Sequence, residues 1–207
     1  MPLRNISILI ASNNAHKLQE FREIFRQFGA PDVELVTPQA LGLTLNPDET
    51  ADTYAGNARI KAQAFHDLVR GRNLWVMADD SGLEVDALDG APGIRSARYH
   101  KSAPQGDGCA ALLTEMAQIP DGRRTARFRA VIALIAPDGV ERMFAGVCEG
   151  SIGHARRGSG GFGFDPVFCL AGEARHMAEL TAEEKHRVSH RGLAGQRVIA
   201  FLGNFPT

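Results

Sequence analysis

Ala78-Asp79-Asp80-Ser81-Gly82 sets two adjacent carboxylates at the end of a continuous apolar run, Leu74-Trp75-Val76-Met77-Ala78. Carboxylates at the end of a buried strand are costly to hold unless something positive meets them. A Mg²⁺ ion would do so, because it prefers hard oxygen ligands. A tight Asp-Ser-Gly turn is the plainer alternative. Ser12-Asn13-Asn14-Ala15-His16-Lys17 lies between another apolar run and a helical pattern. Such a strand–loop–helix junction aims backbone N–H groups and the positive helix end at one spot, which suits phosphate, and Lys17 adds a point charge. The glycines of a Walker P-loop are missing, and a polar loop with an ordinary helix cap would look the same.

Two further stretches carry chemistry. Gly158-Ser159-Gly160-Gly161-Phe162-Gly163-Phe164-Asp165-Pro166 formally matches a dinucleotide fingerprint. That fingerprint must open a helix, and the residue before a proline is pushed away from the α region. The stretch fits a bare wall approaching a flat ligand, with Phe162 or Phe164 to stack on it, and equally a flexible surface loop. In Lys185-His186-Arg187-Val188-Ser189-His190-Arg191 the histidines stand four apart, but the Glu of a zinc-protease helix is replaced by Arg187. So many cations argue against a divalent metal. The segment reads as a donor set for an anionic or carbonyl-rich ligand, or as a solvated helix face. Together the four stretches suggest nucleotide hydrolysis.

These groups need elements to position them. Residues 6–11 and 33–37 read as strands. Leu18, Phe21, Ile24, Phe25 and Phe28 make 16–28 an amphipathic helix stopped by Gly29. Ala55, Ala58, Ala62, Phe65 and Val69 predict a long helix from Thr50 to Arg70, ended by Gly71. The run 74–78 has the character of a central buried strand. Leu83, Val85 and Ala87 alternate with Glu84 and Asp86 as in a half-exposed one. A helix is expected around 106–118. Pro137-Asp138-Gly139 turns a hairpin between 125–136 and 140–150. Thr181-Ala182-Glu183-Glu184 is a capping box opening a C-terminal helix. Helices alternate with strands first and a long hairpin follows, so the expected fold is a mixed-sheet α/β or α+β domain spanning 1–207.

Composition limits the partners. The 207 residues carry 23 Lys+Arg against 24 Asp+Glu, a formal charge of -1. That argues against binding nucleic acid or anionic lipid through bulk charge, so an anionic ligand must be met by local cations, backbone donors or a metal. Cys109, Cys148 and Cys169 are odd in number and form no CxxC pair, which points to a reducing compartment. No run approaches the roughly 18 apolar residues of a membrane span. A cytoplasmic protein is expected.

Several segments, in this order and spacing, resemble the inosine triphosphate pyrophosphatase family. They are Ser12–Lys17, Ala78–Leu83, Gly90-Ala-Pro-Gly-Ile-Arg-Ser-Ala-Arg98-Tyr99, Gly160–Pro166, Ala178–Lys185 and Ser189–Gly192. The resemblance runs over about residues 6–200. It implies hydrolysis of dITP, ITP and XTP to the monophosphate and pyrophosphate, dependence on Mg²⁺, and a homodimer. It also implies an elongated mixed sheet with flanking helices, its two lobes set around a central cleft. By the same resemblance Ser12, Asn13, Asn14, Ala15, His16 and Lys17 hold the triphosphate. Asp80 binds the metal and is the catalytic base, with Ser81 contacting substrate. Phe162, Gly163, Phe164 and Asp165 line the base pocket, Phe162 stacking, while Lys185, His190 and Arg191 reach the purine. One position departs. Before Asn57-Ala58 the family usually has an acidic residue, and here Gly56 stands, so either Glu49 or Asp79 takes over in holding the metal, or fewer protein groups and more waters hold it. The rival readings are a Maf-type pyrophosphatase acting on other modified nucleotides, and a nucleotide sensor that has lost catalysis.

Overall fold

Alternating side chains along short apolar strands build the centre of the molecule. The computed structural model describes residues 6–30 and 32–204; the ends of the 1–207 span lie outside the described residues. Ser7–Ile10 (β1) pairs in parallel with Glu34–Val36 (β2) and with Trp75–Val85 (β3). Thr125–Ile135 (β4), Glu141–Ile152 (β5) and Phe168–Leu170 (β6) complete a six-stranded sheet in the order β2-β1-β3-β4-β5-β6, with β5 and β6 antiparallel. The helices are Ala15–Gln27 (α1), Tyr54–Leu68 (α2), Ser96–Ser102 (α3), Gly108–Glu115 (α4), Ala182–Val188 (α5) and His190–Gly203 (α6). This is the expected mixed sheet with flanking helices.

Three local expectations change. The strand readings at 74–78 and 83–87 are one strand, because β3 runs unbroken through Asp79, Asp80, Ser81 and Gly82. The Asp-Ser-Gly turn is absent, and the carboxylates sit inside the strand, which tolerates them because cations meet each one. α2 starts at Tyr54 rather than Thr50, since the Thr53 side chain accepts the Gly56 N–H as its cap. The C-terminal helix is two helices. The capping box of Thr181 and Glu184 opens α5, Ser189 is extended (φ -70, ψ 153), and α6 begins afresh at His190. His186 and His190 therefore do not share a helix.

The chain divides into two compact units, one of Met1–Asp80, Ala130–Gly146 and Arg191–Thr207, the other of Ser81–Arg129 and Val147–His190. In the first, period-two alternation sends Ile8, Ile10, Trp75 and Met77 to a core with Phe21, Ile24 and Phe25 of α1 and Ala194, Val198 and Leu202 of α6. Leu9, Val76 and Ala78 go to the opposite side, against Ala58, Ala62 and Phe65 of α2. In the second unit Leu83, Val85, Phe128, Ile152 and Phe168 pack with Cys109 and Leu112 of α4. Arg124 is buried there with its guanidinium donating to the carbonyls of Met116 (2.6 Å), Ile119 (3.0 Å), Ile152 (2.7 Å) and Gly153 (2.8 Å). It thereby takes up orphan carbonyls beyond α4 and ties them to the end of β5.

Candidate functional site

The alternation that sorts the first unit's core also sorts its carboxylates. Asp79 continues the Trp75–Met77 face toward α1 and α6; Asp80 continues the Val76–Ala78 face toward α2. Asp79 Oδ2 lies 3.0 Å from Lys17 Nζ and accepts from Arg191 Nε (3.4 Å) and Nη2 (3.2 Å). Arg191 Nη1 donates to Glu20 Oε2 at 2.6 Å. Burial pushes the Asp79 carboxyl up, but Lys17 and Arg191 outweigh it and hold the group well below the usual carboxylate range. Burial also lowers the Lys17 ammonium, only partly opposed by Asp79.

On the other face Asn57 is fully buried and donates through Nδ2 to Asp80 Oδ2 at 3.2 Å, while its Oδ1 accepts the Ala51 N–H at 3.0 Å. One helical turn on, Lys61 Nζ stands 3.4 Å from Asp80 Oδ1 and 2.5 Å from Glu49 Oε1. Burial raises the Asp80 carboxyl above its ordinary value, against the pull of Lys61 and Lys17. Neither Asn57 nor Lys61 emerged from sequence reasoning. Their signal was available: two polar residues four apart, next to the buried alanines Ala58 and Ala62 of the same helix.

At the start of α1, Asn14 Oδ1 accepts from the backbone N–H of His16 (3.0 Å) and Lys17 (3.2 Å). The ordinary cap is thus present, and it occupies donors that the sequence had offered to phosphate. Asn13 Nδ2 donates to the Leu45 carbonyl at 3.0 Å. Ser12 is half-buried, and Asn13, Asn14, Ala15 and His16 are exposed.

A divalent cation has a chemically suitable place. Among the described residues no three His, Cys, Asp or Glu side chains are grouped to hold a metal. Mg²⁺ does not need such a group, being commonly bound by one or two carboxylates, waters and substrate phosphates. Asp80 and Glu49 flank a single cationic group, the Lys61 ammonium. That donor set fits a hard dication. Asp79, the other substitute for the missing acid, turns to the opposite face. Gly56 packs closely: a Cβ there would meet Ala51 Cβ at 2.5 Å and Thr53 Oγ1 at 3.0 Å. An acid at that position would have to displace the segment just after Glu49.

In the second unit Asp165 Oδ2 accepts from Lys185 Nζ and from the Phe162 N–H, each at 2.7 Å. The ammonium lies 5.2 Å from the Phe162 ring centroid, a cation–π distance. Gly161 has φ +69, and a Cβ on it would run into Asp165 Oδ2, so glycine is what allows the loop to close on this carboxylate. Phe162 is half-exposed and Gly163 exposed. Phe164, by contrast, is buried and packs on Tyr99 at 5.9 Å, which removes its ring from the surface offered to a flat ligand. His190 stacks on Phe128 with centroids 4.7 Å apart. Ser81 is half-buried in β3. The 185–191 stretch is not a solvated face, since Lys185, His186, His190 and Arg191 are all buried. Arg191 needs a further correction. Expected with the purine donors, its guanidinium is engaged by the carboxylates of Asp79 and Glu20.

Residues 8–201 match the Ham1 family. A Streptomyces coelicolor protein named dITP/XTP pyrophosphatase is 44% identical over 195 residues, covering 93% of this chain and 94% of its own. The solved structure of the Staphylococcus aureus Ham1 protein has a TM-score of 0.80 at 36% identity, covering 95% of this chain and 98% of that one. A HAM1 protein from Coxiella burnetii gives 0.82 at 33% identity, with 97% and 100% covered.

Proposed function

Because the chain belongs to the Ham1 family, we propose that it hydrolyses the non-standard purine nucleoside triphosphates dITP, ITP and XTP to the monophosphate and pyrophosphate. The observation that supports this most directly is the division of Asp79 and Asp80 between the faces of β3. One carboxylate is held by Lys17 and Arg191, the other by Asn57 and Lys61 beside Glu49.

Lys17 receives the charge of the triphosphate. A unit pair at about 4 Å is worth roughly 4 kcal/mol at an effective dielectric near 20, so one placed ammonium does what a nearly neutral chain cannot. Asp80 orients a water and accepts its proton as the water oxygen bonds to the α-phosphorus. The bond from that phosphorus to the bridging oxygen breaks, and pyrophosphate leaves with the electron pair. Asn57 holds Asp80 Oδ2, which fixes the direction of the carboxylate. Asp80 and Glu49 would hold Mg²⁺, which when bound would supply charge neutralisation for the phosphate oxygens. Positioning and neutralisation are what phosphoryl-type transfers gain from most.

Lys185 and His190 donate toward the 6-keto oxygen of hypoxanthine or xanthine, and the half-exposed Phe162 ring stacks on the base. The 6-amino group of adenine would set donors against donors, and sites built on such bonds discriminate by about 10⁴. Lys185→Ala should therefore raise KM for dITP about tenfold or more and narrow the dITP preference over dATP. A preference unchanged within about twofold would place base reading on other residues. The homodimer and the cytoplasmic setting implied by the resemblance belong to the same proposal. No described helix is long and apolar enough to cross a membrane.

The direct test is pyrophosphate release from dITP, XTP, dGTP and dATP, each with Mg²⁺ and with EDTA. Mg²⁺-dependent release from dITP and XTP, with little from dGTP and dATP, is the expected result. Release insensitive to EDTA would remove the metal from the proposal. Binding of dITP without release from any of the four would return the sensor reading.

A further inference from the structure

We infer that Glu20 is a positioning residue for triphosphate binding, acting through Arg191 and Asp79 on the Lys17 ammonium; the inference rests on Lys17 being the phosphate-binding cation. Glu20 lies three residues after Lys17 on the same side of α1 and is only 8% exposed. A buried carboxylate needs a charged partner, and Arg191 Nη1 supplies one at 2.6 Å. The same guanidinium reaches Asp79 Oδ2 through Nε at 3.4 Å and Nη2 at 3.2 Å. That oxygen is also the one facing Lys17 Nζ, at 3.0 Å.

The charges therefore alternate around a closed circuit: Lys17, Asp79, Arg191, Glu20, and back to Lys17 through a turn of α1. One carboxylate oxygen is shared by two cations, and its sharing is balanced because Glu20 draws Arg191 the other way. Neutralising Glu20 leaves a nearly inaccessible guanidinium, 2% exposed, with Asp79 as the remaining carboxylate of the circuit. Arg191 then closes on Asp79 Oδ2 and repels Lys17, whose own side chain is 15% exposed. Displacements of about 1 Å in a positioned group can cost about 10²-fold, so the smaller adjustment available here should be read as a substrate effect near tenfold.

The test is a double-mutant cycle on the full chain, read as pyrophosphate release from dITP. Glu20→Gln is expected to raise KM about tenfold, with kcat within about threefold of wild type. In a Lys17→Ala background the same change should alter KM by less than about twofold, because the group it positions is gone. Glu20→Asp keeps the charge with a shorter reach; it should fall between wild type and Glu20→Gln, and it carries the same cycle if Glu20→Gln does not fold. An equal KM effect in both backgrounds, or no KM effect in the wild-type background, would overturn the inference and leave Glu20 with a purely structural role. Lys17→Ala with unchanged KM and kcat would instead overturn the phosphate reading, and the inference with it.

Discussion

Asp80→Asn should lower turnover of dITP by about 10³-fold or more while dITP still binds within a few fold of wild type. The substitution preserves size and leaves Asn57 an oxygen to donate to, so the local packing of β3 against α2 is kept. It removes the proposed proton acceptor and one of the two carboxylates proposed to hold the metal at once. General-base loss alone is worth about 10²–10⁴, and the lost charge adds to that. Binding should survive because Lys17, the proposed phosphate cation on the opposite face of β3, is untouched. Initial rates of pyrophosphate release measure the first half of the expectation, and titration calorimetry with dITP the second. Turnover within a few fold of wild type would take Asp80 out of the chemistry, and the base would then have to be sought elsewhere. Equal losses in turnover and affinity would assign Asp80 to ground-state binding.

The contrast between the two aspartates shows where sequence reasoning reaches and where it stops. Short apolar runs and caps are local, and they were legible: β1, α1 stopped by Gly29, the Pro137-Asp138-Gly139 turn and the Thr181–Glu184 capping box all formed. Asp79-Asp80-Ser81-Gly82 looked like the end of a strand because polar residues with a glycine favour turns when nothing else holds them. What holds them is distant in the chain. Lys17 and Arg191 for Asp79, and Asn57 and Lys61 for Asp80, come from three different helices. Tertiary partners thus decide both the backbone there and the role of each carboxylate. The same reason explains Arg191. A run of cations at 185–191 gives no sign from composition which carboxylate each member meets, Asp165 for Lys185 and Asp79 with Glu20 for Arg191. Motif resemblance names candidate residues, because motif spacing follows the chain, but it does not say where each side chain points.

Arg191→Ala is the second large effect, and it should appear as lost stability rather than altered base choice. The guanidinium is 2% exposed and bonded to both Asp79 and Glu20. Removing one partner of a buried ion pair takes a charged partner from the others, at a cost of about 3–5 kcal/mol. For a chain of this size that lowers the melting temperature by roughly 6–20 °C. Asp79 keeps Lys17 and so loses less than a carboxylate left without any cation, whereas Glu20 loses the Arg191 bond. Arg191→Lys should cost less, because it keeps the charge, but a single ammonium has no fork with which to reach Glu20 and Asp79 together. Scanning calorimetry of both variants, with dITP and dATP rates below the transition, separates the two roles. A melting temperature within a few degrees of wild type, with a clearly narrowed dITP preference over dATP, would return Arg191 to the purine donors. A large drop in melting temperature with the preference unchanged would fix it as the link between α1, β3 and α6. The buried circuit around Asp79 would then hold three elements together with one set of charges.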